Sequence, residues 1–235
     1  MGKTKILTNS CIRRPKSIKC LGQDIQVVSA TDSEKYLGRK LSLDIYHDTE
    51  LANRVASGWA CFFKYKCTLC NSRLSLRYRM KLFDACVVPC VLYACGTWTM
   101  TARHDHLLTK TRRRMLRWMM HITRLPEECW VDYIVRATHR CENLASTYGS
   151  KEWVALQRER KWKLAGKAAA CSDGRWTKRL LMWKPWHRVC PYRRVGRPAR
   201  RWADEFVECA GGDWPQAAAD RTMWYALTYA SMSTP

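Results

Sequence analysis

The sequence has few acidic residues to balance its many basic ones. It contains 20 Asp and Glu against 42 Lys and Arg in 235 residues, a formal net charge of +22. A compact body with this excess repels itself unless it meets a polyanion, and the usual polyanion is DNA or RNA. We therefore predict RNA, DNA or an RNA–DNA hybrid as the partner. An anionic membrane surface and an acidic protein are the alternatives.

The sequence also lacks the signals of a secreted, membrane-spanning or metal-binding protein. Thirteen cysteines, an odd number, and no signal peptide indicate reduced thiols in a nuclear or cytoplasmic protein. Residues 85–102 form an uncharged run about long enough for a bilayer, but Pro89 and Gly96 favour a buried core helix without membrane contact. Cys67 and Cys70 have zinc-like spacing, yet no second such pair completes four ligands. A pair of packed free thiols is the favoured interpretation, and no metal or cofactor is predicted.

Short β-forming runs precede a long series of helical patterns. Residues 25–28 and 36–38 are bounded by Gly, Asp and Ser, which is typical of strands in a small β-meander. From about residue 48 the apolar residues recur at helical spacing, with Asp48 or Thr49 placed to cap the first turn. The pattern predicts an α+β, predominantly α fold: a small N-terminal antiparallel β-meander, a helical bundle and a helical, basic C-terminal extension.

Later helices are predicted from the same periodicity. Ser75 begins a second helix, which Pro89 is expected to kink or end because proline removes a backbone donor. A third helix lies near residues 105–122, and both His104 and His106 at its start are predicted to lie on the surface. Further helices are predicted at residues 130–138, 150–170, 174–183, 199–209 and 216–230.

The third predicted helix has an apolar face and a basic face. Leu108, Met115, Trp118, Met119 and Ile122 form the apolar face. The basic face carries four cations without an acidic partner one turn away: Lys110, Arg113, Arg114 and Arg117. Such spacing suits contacts with phosphates, although an ordinary solvated face would also explain it.

Residues 183–202 combine cations, aromatic rings and prolines without an acid. This stretch holds seven Lys or Arg, four aromatics and three prolines, so we predict an extended linker. Rings that alternate with cations are typical of surfaces for single-stranded nucleic acid. The predicted binding residues are Arg193, Arg194, Arg197, Arg200 and Arg201. Minor-groove insertion by residues 196–198, or a loop that only packs its tryptophans, are the alternatives.

Several short strings follow one another in a characteristic order. They are residues 3–6 (KTKI), 35–38 (KYLG), 82–85 (LFDA), 113–117 (RRMLR), 130–134 (WVDYI), 196–198 (GRP) and 201–204 (RWAD). In number and order they resemble the reverse transcriptases of non-LTR (LINE-like) retrotransposons, from the end of the palm to the C-terminus.

The resemblance implies roles for two of these strings. The first is similar to motif D, where Lys3 or Lys5 would contact phosphates of the incoming nucleotide; solvated lysines on a strand edge are the alternative. The second is similar to motif E, the primer grip. By the resemblance, Tyr36, Leu37 and Gly38 would lie against the primer's end, whereas plain strand core would need no such role.

The resemblance also implies five segments. They are a palm-edge β remnant (1–47), a helical thumb (48–140), a C-terminal helical region (141–182), a basic aromatic linker (183–202) and C-terminal helices (203–235).

The chemistry of the resembled family is missing from the printed sequence. That family polymerises with two metal ions, Mg²⁺ in the intact enzyme, held by palm aspartates. The sequence has no Asp-Asp pair, so we predict no catalytic residues and no enzyme activity for this chain. The expected function is a reverse-transcriptase fragment with primer grip and thumb that binds template–primer or other nucleic acid. A domesticated stand-alone DNA- or RNA-binding module, or an inert relic of a truncated element, is the alternative.

Overall fold

The computed structural model describes residues 4–8, 16–29, 31–43, 46–174, 176–182 and 200–233. The chain divides into two compact units. Unit 1 comprises residues 1–93 and 114–127, and unit 2 comprises residues 94–113 and 128–235. Helices account for 62% of the structure and follow a small N-terminal strand region, which confirms the predicted α+β, predominantly α class.

Within its described residues, unit 1 begins with five short strands. They are β1 (Lys5–Leu7), β2 (Ser17–Cys20), β3 (Gln23–Val28), β4 (Glu34–Tyr36) and β5 (Arg39–Leu41). The first three form one sheet in the order β1-β3-β2, in which β2 runs antiparallel and β1 parallel to β3. Strands β4 and β5 form a separate antiparallel hairpin. The strand predicted at residues 25–28 is confirmed, whereas Leu37 and Gly38 form a turn because both have positive φ.

The helices of unit 1 follow its strands in the sequence. They are α1 (Tyr46–Lys64), α2 (Lys66–Leu69), α3 (Leu76–Leu82), a π-helical turn (Phe83–Val87), α4 (Val88–Val91) and the part of α5 (Ala102–Met119) from Arg114 onward. Their shared core contains apolar side chains with at most 1% exposure: Phe62, Leu69, Met80, Phe83, Val87, Val91, Leu92, Met115, Leu116 and Met119.

Three details of these helices test the predictions from local sequence. Ser75 caps α3 as predicted, since its Oγ accepts a hydrogen bond from the backbone N of Tyr78 at 3.4 Å. Helix α1 begins at Tyr46, so Asp48 lies inside its first turn and the predicted cap at Asp48 or Thr49 is wrong. The helical path does not end at Pro89, which lies in the first turn of α4, where a missing N–H is tolerated.

Unit 2 is built from helices. Besides the first part of α5 it contains α6 (Trp130–Thr147), α7 (Trp153–Ala169), α8 (Trp176–Met182), α9 (Asp204–Ala210), α10 (Trp214–Ala219) and α11 (Arg221–Ser233). The helix predicted at 216–230 is in fact two helices. They separate at Asp220, whose Oδ1 accepts from the backbone N of Thr222 and Met223 at the start of α11.

The core of unit 2 is aromatic. Trp162, Phe206, Trp214 and Trp224 are each at most 5% exposed, and the Trp162 and Trp224 rings lie 4.6 Å apart. Gly166 permits this packing, because a Cβ there would lie 2.7 Å from Cδ1 of Trp224. Close to these rings, the ammonium of Lys161 lies 2.7 Å from the Glu205 carboxylate. Trp162 Nε1 donates to the same carboxylate at 3.0 Å.

Two regions differ from their predicted environments. His104, predicted on the surface, is only 7% exposed, whereas His106 is exposed as predicted; residues two apart on a helix point to different faces. Residues 85–102 do not form one core helix but pass through a π-helical turn, α4 and a 3₁₀ turn at Cys95–Thr97. Within the described part of the chain, no helix combines the length and apolar character needed to cross a bilayer.

Candidate nucleic-acid interface

The β4–β5 hairpin of unit 1 presents the string that resembles the primer grip. Tyr36 pairs with Arg39, so Leu37 and Gly38 alone form the turn, with φ of 48° and 80°. Positive φ at both central residues is the geometry of a type I′ turn, which suits the twist of a hairpin. Tyr36 and Leu37 are 62% and 75% exposed, so the alternative that they are plain strand core is wrong.

Side chains from the helices hold the backbone of this turn. The Arg54 guanidinium of α1 donates to the carbonyl oxygen of Gly38. Tyr93 Oη donates to the carbonyl oxygen of Leu37 at 3.1 Å. The two side chains also contact each other, with the guanidinium carbon 5.0 Å from the ring centroid. The turn is therefore fixed at two consecutive carbonyls while its apolar side chain projects into solvent.

A buried carboxylate fixes the base of the hairpin. Glu50 of α1 is 1% exposed, and its Oε2 accepts from the backbone N of Lys40 in β5 at 2.6 Å. Its Oε1 lies 3.0 Å from Nε of Arg54 and 3.7 Å from Nε of Arg39. Glu50 thus joins β5 to α1 through both the backbone and the side chains, which makes the hairpin part of the helical body.

The motif D-like lysines are only partly within the described residues. Lys5 in β1 forms an ion pair with Glu34 of β4, with Nζ and Oε1 2.5 Å apart, and its side chain is 30% exposed. Lys5 therefore has an acidic neighbour on an edge strand, and the alternative of a solvated lysine on a strand edge stays a prediction. Lys3 lies outside the described residues.

The basic residues of α5 fall into the two units. In unit 1 Arg114 is exposed and lies 5.5 Å above the ring of Trp59, while Arg117 is half-buried. In unit 2 Lys110 is exposed, but Arg113 forms an ion pair with Glu142 of α6. The sequence criterion missed this partner because it considered only acids one turn away, whereas Glu142 is 29 residues distant.

Two further residues of α5 have environments that the sequence analysis did not predict. Arg112 was not singled out, yet it is 2% exposed and forms an ion pair with Glu152 at 2.9 Å. It also donates to the carbonyl oxygen of Ser150 at 3.0 Å. Trp118, predicted on the apolar face, is 40% exposed. In the structure, therefore, Arg112 is buried and Trp118 is partly exposed.

The end of the predicted linker is folded into unit 2. Trp202 Nε1 donates to the carbonyl oxygen of Gly96 at 2.8 Å, and its ring lies 5.0 Å from that of Phe206. Its assignment to an extended linker is therefore wrong. Arg200 forms an ion pair with Glu208 at 2.9 Å, and Arg201 is exposed. The other predicted binding residues of this stretch, Arg193, Arg194 and Arg197, lie outside the described residues.

The metal chemistry of the resembled polymerases does not fit the described residues. In the part of the chain that the structure describes, no group of three or more His, Cys, Asp or Glu is placed to hold a metal ion. Cys67 and Cys70 are free thiols, and burial raises the pKa of Cys70. Cys67 is exposed, so only one member of the predicted packed pair is packed.

The chain is similar to a protein that is described as transposon-derived. It is 28% identical over 235 aligned residues to a transposon-derived protein of Caenorhabditis elegans, and the alignment covers 96% of this chain and 80% of that protein. The similarity supports a transposon origin. No protein-family model and no solved structure matches the chain.

Proposed function

We propose that the chain is the remnant of a non-LTR retrotransposon reverse transcriptase that binds RNA, DNA or their hybrid without extending it. The observation that carries this proposal is the β4–β5 turn. Leu37 combines a positive φ with 75% exposure, and both features are unfavourable for an isolated leucine. Such an outlier, held by Arg54 and Tyr93 in a string that resembles the primer grip, supports contact with the end of a nucleic-acid strand.

A second hairpin of unit 1 provides a comparison for the β4–β5 turn. Leu21 and Gly22 connect β2 and β3 with φ of 48° and 76°, and Leu21 is 99% exposed. Its turn has the same backbone form, but it belongs to no string of the resemblance. The Leu21 turn therefore supplies the natural control for substitutions at Leu37.

Two long acid-free stretches support binding to phosphates. Residues 51–83 contain seven Lys or Arg and residues 106–126 contain six, with no Asp or Glu in either stretch. Arg54, Arg112 and Arg113 among them pair with acids outside these stretches. The exposed cations of these stretches neutralise phosphates and release the counterions that surround a nucleic acid, which favours association. These contacts position a strand without reading its sequence, so we propose similar affinities for RNA, DNA and hybrid.

The proposal includes the absence of polymerisation by these 235 residues. The printed sequence has no paired aspartates, and nothing in its described residues fits a two-metal site. We also propose residence in the nucleus or cytoplasm. The eleven cysteines within the described residues are free thiols, which suits a reducing compartment.

Neutralising Lys110, Arg114 and Arg117 of α5 is expected to weaken binding to every nucleic acid. In the triple variant Lys110→Gln/Arg114→Gln/Arg117→Gln, each lost phosphate contact should make the slope of log affinity against log salt shallower by about 0.9 on duplex. Fluorescence anisotropy with RNA, DNA and hybrid of one length measures this. Arg136→Gln is a control that removes one charge, because Arg136 already pairs with Glu128 at 2.6 Å. Equal slopes for the wild type and the triple variant would contradict the assignment.

A further inference from the structure

Three aromatic rings meet at the surface of unit 1. Trp59 and Phe63 lie one turn apart on α1, and Trp118 lies near the end of α5. Their ring centroids are 5.7 Å (Trp59–Phe63), 5.8 Å (Trp59–Trp118) and 5.7 Å (Phe63–Trp118) apart. Phe63 is 49% and Trp118 40% exposed. We refer to these three residues as the aromatic cluster.

The aromatic cluster rests on a rigid base. Phe62 is fully buried beneath it, with its ring 5.6 Å from Trp59 and 6.5 Å from Phe83 in the core. The exposed rings are therefore held by packing and need not be ordered when a ligand arrives. A ring that is fixed in advance gives up less conformational entropy on binding.

Cations surround the aromatic cluster. The Arg114 guanidinium lies 5.5 Å above the Trp59 ring, and the Lys66 ammonium lies 5.7 Å above the Trp118 ring. Lys64, next to Phe63 in the sequence, is exposed as well. The acid-free stretch 51–83 contains the part of α1 after Glu50, together with α2 and α3. No carboxylate from these three segments offsets the positive charge.

We propose that the aromatic cluster binds single-stranded nucleic acid by stacking an unpaired base on Phe63, with the edge-on Trp118 ring beside it. The inference rests on the proposed nucleic-acid binding and adds a second site to it, distinct from the β4–β5 turn. Bases stack on exposed rings regardless of their identity, while neighbouring cations neutralise the backbone. A phosphodiester strand satisfies both features of this surface.

An apolar protein partner fits the same surface less well. Such a partner would cover the rings but would also take Lys66 and Arg114 out of water without an anion to compensate them. A second copy of this chain carries the same positive stretch, so two copies would repel at this face. The charge around the rings therefore favours a polyanion with flat apolar groups.

The test compares strands with and without bases. The probes are a single strand of about 12 nucleotides, a strand of equal length with abasic residues, and a duplex of equal length. The wild type is expected to bind the base-containing strand about tenfold more tightly than the abasic one. Phe63→Leu keeps an apolar side chain but removes the ring. It should abolish this preference and change duplex affinity less than twofold, within the scatter expected without stacking.

Matched variants separate stacking from folding. Tyr78→Leu removes a ring that is 54% exposed on α3 and should keep the preference for bases. Phe63→Tyr keeps an aromatic ring and should keep the preference for strands with bases. The inference is overturned if Phe63→Leu weakens the binding of all three probes equally, or if it leaves the preference for strands with bases intact. If Phe63→Leu instead abolishes self-association in sedimentation, the surface pairs copies of the chain and the inference is also overturned.

The two proposals fail differently. If the wild type binds none of the three probes at low salt, the proposed function fails and this inference fails with it. If the wild type binds all three probes alike, nucleic-acid binding stands and base stacking at the aromatic cluster is rejected.

Discussion

Replacing Glu50 with alanine is expected to reduce the stability of unit 1 by about 3–5 kcal/mol. The carboxylate is 1% exposed and lies against the guanidinium groups of Arg39 and Arg54. Its removal takes this carboxylate away from the buried Arg54 and the partly buried Arg39, and the backbone N of Lys40 loses its acceptor. Urea-induced unfolding of the full chain measures the loss, and hydrogen exchange at β5 should locate it in the hairpin.

Glu50→Ala is also expected to loosen the β4–β5 turn, which is the proposed primer contact. Arg54 donates to the carbonyl oxygen of Gly38, so a displaced Arg54 releases one of the two braces of the turn. Glu50→Gln keeps acceptor capacity and should lose less stability than Glu50→Ala. Glu208→Ala breaks an exposed pair with Arg200 and should cost less than about 1 kcal/mol. A Glu50→Ala protein as stable as Glu208→Ala would show that the buried network contributes little.

Replacing Glu205 with alanine is expected to have a similarly large effect in unit 2. Lys161 has a side chain that is 2% exposed, and Glu205 supplies its ion-pair partner at 2.7 Å. Without the carboxylate, a buried ammonium remains and Trp162 Nε1 loses its acceptor, which together cost about 3–5 kcal/mol. Thermal unfolding of the full chain, followed by the signal of the tryptophan-rich core, measures this loss.

The pKa directions of this pair differ, and burial explains the difference. Burial lowers the pKa of Lys161 because the ammonium is more deeply enclosed than its partner, and the attraction of Glu205 offsets this only in part. For Glu205, burial acts to raise the pKa, but the charge of Lys161 and hydrogen bonds from Lys161 and Trp162 outweigh it and leave the pKa lowered.

The lowered pKa of Glu205 sets the pH dependence. A carboxyl with a folded-state pKa below its unfolded value contributes stability above the unfolded value and loses it as pH falls through the folded one. We therefore expect the difference between wild type and Glu205→Gln to shrink in acid. The double variant Lys161→Met/Glu205→Leu should recover most of the stability lost by Glu205→Ala, since it leaves no unmatched charge. A double variant no more stable than Glu205→Ala would contradict the charge argument.

Local patterns in the sequence were sufficient where the physics is local. Apolar spacing located α1, α3, α5 and α7, and the hydroxyl of Ser75 marked the start of α3. The long α6 was predicted too short, because the buried residues of its second half, Cys141 and Ala145, are small. Small side chains give a weak apolar pattern.

The pairings between distant segments could not be predicted in this way. Arg113 meets Glu142, and Trp202 meets a carbonyl 106 residues away, with no sequence signal to relate the partners. The Leu37 turn is a different case. Leu-Gly between two short β-forming runs was a usable sign of a two-residue hairpin, since Gly supplies the positive φ that the second position requires.

The aromatic cluster shows the same limit for the candidate site. Trp59 and Phe63 lie at i and i+4 on α1, but helical spacing alone does not separate an exposed ring from a buried one. Only the fold brings Trp118 to the same place and leaves Phe63 half-exposed. Sequence patterns identified the positive charge of the protein; the structure was needed to find where rings and charges meet.

The dependence of affinity on salt tests the central claim most directly. The claim is that Lys and Arg side chains bind a nucleic acid by neutralising its phosphates. Anisotropy titrations of the wild type with a duplex, between about 50 and 200 mM salt, should give a log–log slope of about −4 or steeper, a loss of roughly 250-fold. A slope near zero, or no binding at the lowest salt, would contradict the account.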